Sequence, residues 1–411
     1  MCRLSLPVLS ILLFACATSP ASSPDVSAGE TSDVSVTADA AAGGKTARDL
    51  RIFDLSPPDI GERPWRVDRL LRGAIVPGFG PVDVGIVGSD IVAVEPAGQG
   101  AWIAAEEHTL TGRWIVPAFI DSHVHLSYLN QAEELAAGGI AAAVDHAAPM
   151  GFFRSDFAPL VVRGSGPMVT AVGGYPTQSW GANGYGLECV DVAAAVSAVN
   201  TLADAGAALI KVPLGHGPEF TPDILKAIVS AAHARSLPVS VHALTDAQAL
   251  LAGSVGADVL AHAPVEVLSA DTVAAWADRS VITTVAAFGA GGTAVANLAA
   301  LHAAGARILY GTDFGNTTWT GVHPVELTAM QEAGMTPAEI LSAGTSAPAL
   351  FWDFPRHGSI APGHAASLMI LDGDPLLEPL VLAAPVAVLN EGLLVAGALD
   401  GERATGQSRG R

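Results

Sequence analysis

Two histidines, His123 and His125, stand one residue apart in the stretch IVPAFIDSHVHLSYLN (Ile115 to Asn130), which opens as an apolar strand. On a strand, residues i and i+2 project to the same face, so the two imidazoles point together. An isolated pair of this kind is as compatible with hydrogen-bonded core histidines as with metal ligands. Four further polar residues break apolar runs near their C-terminal ends: Lys211 in AALIKVPL, His242 in LPVSVHAL, His262 in ADVLAHAP and Asp313 in RILYGTDF. Lysine and aspartate are almost never fully buried unless paired, and an unpaired buried charge costs several kcal/mol. Six such residues converging on one place call for a metal. Imidazole and carboxylate donors suit zinc, with manganese, cobalt and iron sharing the same chemistry. Among Ile210, Val212 and Pro213, Lys211 is pushed toward its neutral amine, the form that reacts with CO2.

The elements that must position these residues follow from the pattern around them. Residues 66–114 alternate short apolar runs with Gly, Pro and Asp, as antiparallel strands do. Residues 115–351 repeat an apolar strand, a turn and an Ala-rich helix, exemplified by VTAVGGYP, VITTVAAF and the helical TPDILKAIVSAAHARS. Such alternation argues for a parallel sheet, and the segment is close to the ~250 residues typical of an eightfold barrel. Short strands return in GSIAPGHAASLMILDGDPL and VAVLNEGLLVAG. The expected fold is an α/β (β/α)8 TIM-like barrel, residues 115–351, inserted in a small β-sandwich domain built from 49–114 and 352–400. The interval from His242 to His262 holds one crossover helix, that from His262 to Asp313 two such units, and that from His125 to Lys211 three. The candidates therefore fall on strands one, four, five, six and eight, at the barrel face where active sites reside.

Composition narrows the partners. The 411 residues are 50% hydrophobic, enough for a large core, and 40 acidic against 20 basic residues give a net charge of -20. That balance disfavours nucleic acid or an anionic bilayer as the principal partner. Residues 1–16 read as an export signal, with Arg3 followed by LSLPVLSILLFA, too short to span a membrane. LLFAC resembles the lipobox of bacterial lipoproteins, which implies a lipid on Cys16. Residues 17–48 form a polar Ser/Ala/Thr/Pro tether, and residues 401–411 a polar tail. The expectation is an exported protein, lipid-anchored to a bacterial membrane on its periplasmic or outer-membrane side. Only Cys2, Cys16 and Cys189 are present, so no disulfide framework is expected.

FIDSHVHL, the Lys211 strand, the two single-histidine strands, GTDFG, TPAEILSAGTSAPA and GSIAPGHAASLMILDGDP together resemble the metal-dependent amidohydrolase superfamily. The resemblance runs from about Val67 to Gly397, and within the superfamily it is to the imidazolonepropionase-like and prolidase-like dipeptidase group. It implies that His123, His125 and Asp313 hold one divalent ion and His242 and His262 a second, zinc foremost. Lys211 would bridge the two as a carbamate formed with CO2. The implied activity is hydrolysis of a C–N bond by a metal-bridging hydroxide, with Asp313 carrying its proton to the leaving nitrogen. Two alternatives stand beside it: a mononuclear deaminase or imidazolone-type hydrolase, whose relatives lack the bridging lysine, and a non-catalytic, metal-containing binding lipoprotein. Specificity is expected in the loops at the strand ends. There Tyr175 and His216 can reach a substrate oxygen and Arg154 a substrate carboxylate; His146 and His323 have weaker claims, and Trp180 and Trp319 can wall the pocket. The expected substrate is a small amide: a dipeptide, an N-acyl amino acid or a cyclic amide.

Overall fold

The computed structural model of the chain describes residues 64–399 apart from His216. The expected signal peptide, the tether, Cys16, His216 and the polar tail all lie outside the described residues.

The two flanking segments meet in one branched eight-stranded sheet. Strands Trp65–Val76, Gly80–Val87 and Asp90–Pro96 form an antiparallel meander, and Trp102–Thr109 runs parallel to the first of them. Trp114–Pro117 then pairs antiparallel with Leu368–Leu371, followed by Ala387–Asn390 and Leu393–Gly397. Alternate side chains of both segments, among them Leu71, Val84, Ile115, Leu368 and Leu389, share one buried core. Ile115 pairs with Ile370, so residues 114–117 belong to this sheet, and the barrel begins at Phe119 rather than at Ile115.

The barrel strands are β1 (Phe119–Val124), β2 (Ile140–Asp145), β3 (Val161–Gly164), β4 (Ile210–Pro213), β5 (Val239–His242), β6 (Val259–Leu260), β7 (Ser280–Ile282) and β8 (Arg307–Leu309). All neighbouring pairs are parallel, in one arc from β1 to β3 and another from β4 to β8. Hydrogen bonds join the arcs: Ala208 N–H to Gly164 O, Ser122 N–H to Tyr310 O and Asp313 N–H to His123 O, each 2.9 Å. Inside the ring, Ile120, Val144, Leu209, Val259, Ile282 and Leu309 pack with Trp352 and Phe354. The opposite faces of the strands pack against helices such as Val192–Ala205 and Pro222–Ala234.

VTAVGGYP differs from expectation. Its strand, Met168–Ala171, pairs with Gly186–Cys189 in a separate two-stranded sheet, and the third barrel strand is the preceding run Val161–Gly164. Two apolar runs three residues apart look alike in sequence; what separates them is the carbonyl of Gly164, which accepts from Ala208 next to β4. Tyr175 therefore follows an accessory strand rather than a barrel strand.

Candidate metal centre and active-site cavity

His123, His125, Lys211, His242, His262 and Asp313 all line one cavity of about 300 Å³ at the C-terminal ends of β1, β4, β5, β6 and β8. His242 is half-buried and the other five are buried. Asp313 Oδ1 lies 3.0 Å from His125 Nε2 and 3.5 Å from His123 Nε2. One ligand atom from each of these three residues falls within 4.8 Å of the other two, a spacing that suits a single cation. The His262 ring lies 4.6 Å from that of His123 and 4.7 Å from that of His242.

Local folding explains how β1 presents its histidines. The ladder between β1 and β2 loses register between Asp121 and Val124. Ile120 joins the barrel interior and Ser122 Oγ accepts from Trp352 Nε1 at 3.1 Å, while across the break His123 and His125 take the cavity. An irregularity of this kind re-aims side chains next to a site. Asp121 secures the break from beneath. Its carboxylate accepts from His123 N–H at 3.0 Å, Thr312 N–H at 3.1 Å and the Thr312 hydroxyl at 2.5 Å, tying the end of β1 to the residue before Asp313. Asp313 itself has φ of 54°, in the left-handed region that non-glycine residues rarely occupy. Gly315 follows at φ 108°, where a Cβ would stand 2.7 Å from His125 Cβ.

Hydrogen bonds also set the histidine tautomers. His123 Nδ1 lies 2.9 Å from the Ala261 carbonyl, which can only accept, so Nδ1 carries the proton and Nε2 offers its lone pair to the cavity. His262 Nδ1 lies 2.9 Å from Thr284 Oγ1. Burial first, and neighbouring basic groups second, hold His123 and His262 well below the usual imidazole range, hence neutral. Burial also lowers Lys211 to about 7, against the pull of Asp313 in the opposite direction. The Asp313 carboxylate thus shares the cavity with two imidazoles, those of His123 and His262, that burial keeps neutral. Buried His123 Nε2, His125 Nδ1 and His146 Nε2 have no hydrogen-bond partner among the described residues. Orphaned buried polar atoms are rare and costly, and one of these, His123 Nε2, faces the Asp313 carboxylate beside His125 Nε2, so the residues fit a divalent cation.

The other candidates divide. Tyr175 and Trp180 line the cavity, joined by Trp180 Nε1 donating to Tyr175 Oη at 2.7 Å. Arg154 is exposed at the end of the short helix Met150–Arg154, outside the cavity lining. His323 caps the helix Pro324–Glu332, accepting from Val325 N–H, and Trp319 packs against it; neither lines the cavity. His146, given little weight from sequence, is fully buried at the end of β2. It stacks on His123 at 4.1 Å, with Nδ1 3.5 Å from Lys211 Nζ and 3.3 Å from Ser240 Oγ. The signal was present, since AVDHAAP is another polar residue closing an apolar strand. Asp121 and Asp145 were missed altogether. Asp145 accepts from Ser127 N–H and Ala147 N–H, both at 3.0 Å, and so holds the turn that follows His125; burial raises it to about 6, and Asp121 to about 7.

Among curated proteins, none matches the chain. Solved structures do. An Xaa-Pro dipeptidase with bound methionine aligns at TM-score 0.68 and 19% identity, covering 79% of this chain and 99% of the other. The ochratoxinase of A. niger aligns at 0.65 and 19%, covering 80% and 96%, and phenylurea hydrolase B at 0.60 and 18%, covering 79% and 96%. At these identities the likeness is one of fold: a barrel carried by a sheet from both flanks. The family model for amidohydrolases matches residues 114–403, which is to say from the strand where the sheet hands over to the barrel, through every candidate ligand, to beyond the closing strand; the chain belongs to the amidohydrolase family.

Proposed function

We propose that this amidohydrolase cleaves the C–N bond of a small amide at a centre of two divalent cations, zinc foremost. His123, His125 and Asp313 would hold one and His242 and His262 the other, with Lys211, as a carbamate formed with CO2, a further ligand of the centre. The observation that carries the reading is the buried Lys211, lowered to about 7, gathered with four imidazoles and one carboxylate on the rim of a single cavity. When bound, such cations polarise a carbonyl and lower the pKa of water toward ~7. The chain supplies the rest. Asn316 Nδ2 donates to Asp313 Oδ1 at 3.1 Å and steadies the carboxylate. Asp313 is placed to accept a proton from water and pass it to the leaving nitrogen. Relatives named as a dipeptidase and as hydrolases support the same class of reaction.

Metal analysis alongside a screen of dipeptides, N-acyl amino acids and cyclic imides tests the proposal. Two metals per chain with turnover is the expected result; one metal with turnover favours the mononuclear deaminase or imidazolone-type hydrolase, and metal without turnover a binding lipoprotein. A 13C signal from labelled bicarbonate on wild type, lost in Lys211→Ala, reports the carbamate directly. We also propose export and lipid anchoring at Cys16, supported by LLFAC. A Cys16→Ala variant labelled by lipid as heavily as wild type would refute it.

A further inference from the structure

The wall of the cavity narrows the substrate, and the narrowing rests on the hydrolase reading above. We infer that the substrate is an aromatic amide with no carboxylate next to the scissile bond. Three rings stand over the centre, each against one candidate ligand. Tyr175 stacks on His242 with centroids 5.5 Å apart and planes 27° apart; Trp180 meets His125 edge-on at 5.3 Å; Phe288 meets His262 edge-on at 5.0 Å. Met168 and Leu244 complete an apolar wall. The Trp180 indole N–H already bonds the Tyr175 oxygen, which leaves the phenol's own proton for a substrate oxygen. Aromatic walls with one placed donor favour a flat apolar group attached to a carbonyl, through offset and edge-to-face contacts.

The charges point the same way. Among the described residues lining the cavity, no arginine occurs and Lys211 is the single lysine, already committed to the centre. Arg154, the cation expected to receive a carboxylate, is exposed and does not line the cavity. A substrate carboxylate would give up its hydration beside Asp313 without a cationic side chain to pair with among the described lining residues, a loss of several kcal/mol. The positive charge left to it is the metal centre, where it competes with the scissile carbonyl. The cavity, at about 300 Å³, sits at the small end of ligand pockets, room for about one ring and the amide.

The test uses the zinc-loaded full chain and three N-acetyl compounds: phenylalaninamide, phenylalanine and alaninamide. The expected result is kcat/KM for acetate release from N-acetyl-phenylalaninamide at least about 30-fold above its carboxylate twin and about 10-fold above its aliphatic twin. Trp180→Ala should erase most of the aromatic advantage with metal content unchanged, and Trp180→Phe should restore much of it. Equal or faster turnover of N-acetyl-phenylalanine would overturn the inference and leave the hydrolase reading standing. Should none of the three be hydrolysed, the hydrolase reading is what suffers, and equilibrium binding decides the inference. Quenching of tryptophan fluorescence should show the aromatic amide bound at least about 10-fold more tightly than the aliphatic one, and equal affinities would overturn it.

Discussion

Asp313 combines a strained backbone with two imidazoles at 3.0 and 3.5 Å, which separates its two roles experimentally. Asparagine keeps a carbonyl oxygen for coordination but cannot take a proton. General acid–base catalysis contributes roughly 10² to 10⁴-fold, so Asp313→Asn should lower kcat by at least about two orders of magnitude. Metal content should fall far less than in His123→Ala, and the acidic limb of the pH–rate profile should flatten. Near-wild-type kcat with metals bound would reassign the proton carrier. Lys211 gives a second prediction: both Lys211→Ala and Lys211→Arg should lose most activity and metal, because guanidinium stays protonated and forms no carbamate. A small carboxylic acid should partly rescue the alanine variant only; full activity in the arginine variant would end the assignment. The six candidates could be picked out in the sequence because each is a polar residue in or just after an apolar run, and the structure brings all six to one cavity. Asp121 was not, since its partner Thr312, 191 residues away, becomes a neighbour only when the first strand meets the eighth.

Glu326 is fully buried on the helix Pro324–Glu332 and accepts from Ala286 N–H at 2.8 Å and Val285 N–H at 3.1 Å. It thereby anchors the short helix Val285–Phe288, which brings Phe288 into the cavity wall. Burial raises this carboxyl to about 7, more than its hydrogen bonds lower it. The folded state therefore favours the protonated acid. Its contribution to stability is complete below the unfolded carboxyl's range and is lost as pH rises to about 7. Urea unfolding of wild type and Glu326→Gln should show the wild type losing on the order of 1 to 3 kcal/mol relative to the variant between about pH 4 and 7.5. Parallel curves would mean that the carboxyl does not titrate in this window. The turn after Asp313 makes a sterner demand: Gly315→Ala combines a left-handed φ with a Cβ 2.7 Å from that of His125. Metal content and kcat should fall together, and unchanged values for both would show that the turn can yield. The strand–helix rhythm made the barrel strands legible, but VITTVAAF, expected as one strand, ends its strand at Ile282 and turns into the helix Val285–Phe288. The handover at Ala118 and the identity of β3 were not, because burial looks alike on either side of a junction while pairing partners lie far along the chain.

On the scale of the whole molecule, the centre and the fold support each other. A ligand that binds only the native state stabilises it by mass action, about 2.7 kcal/mol at a hundredfold excess over Kd. Chelation should therefore lower the unfolding temperature, and added zinc should return it; a chelated protein with unchanged unfolding would mean the cavity does not depend on metal. The seam between the first and eighth strands carries a further consequence, one of timing. Asp121 and Thr312 are 191 residues apart in the chain, and Arg69 Nη1 in the sheet donates to the carbonyl of Gly392, 323 residues away. Contacts of such long range form slowly because loop closure comes before their reward. A growing chain exposes HVH early, yet the carboxylate that completes the trio waits for just over three quarters of the sequence to emerge. Any cation this trio takes would therefore be loaded late, as a step of maturation, because its three ligand residues come together only once the first and eighth strands have met.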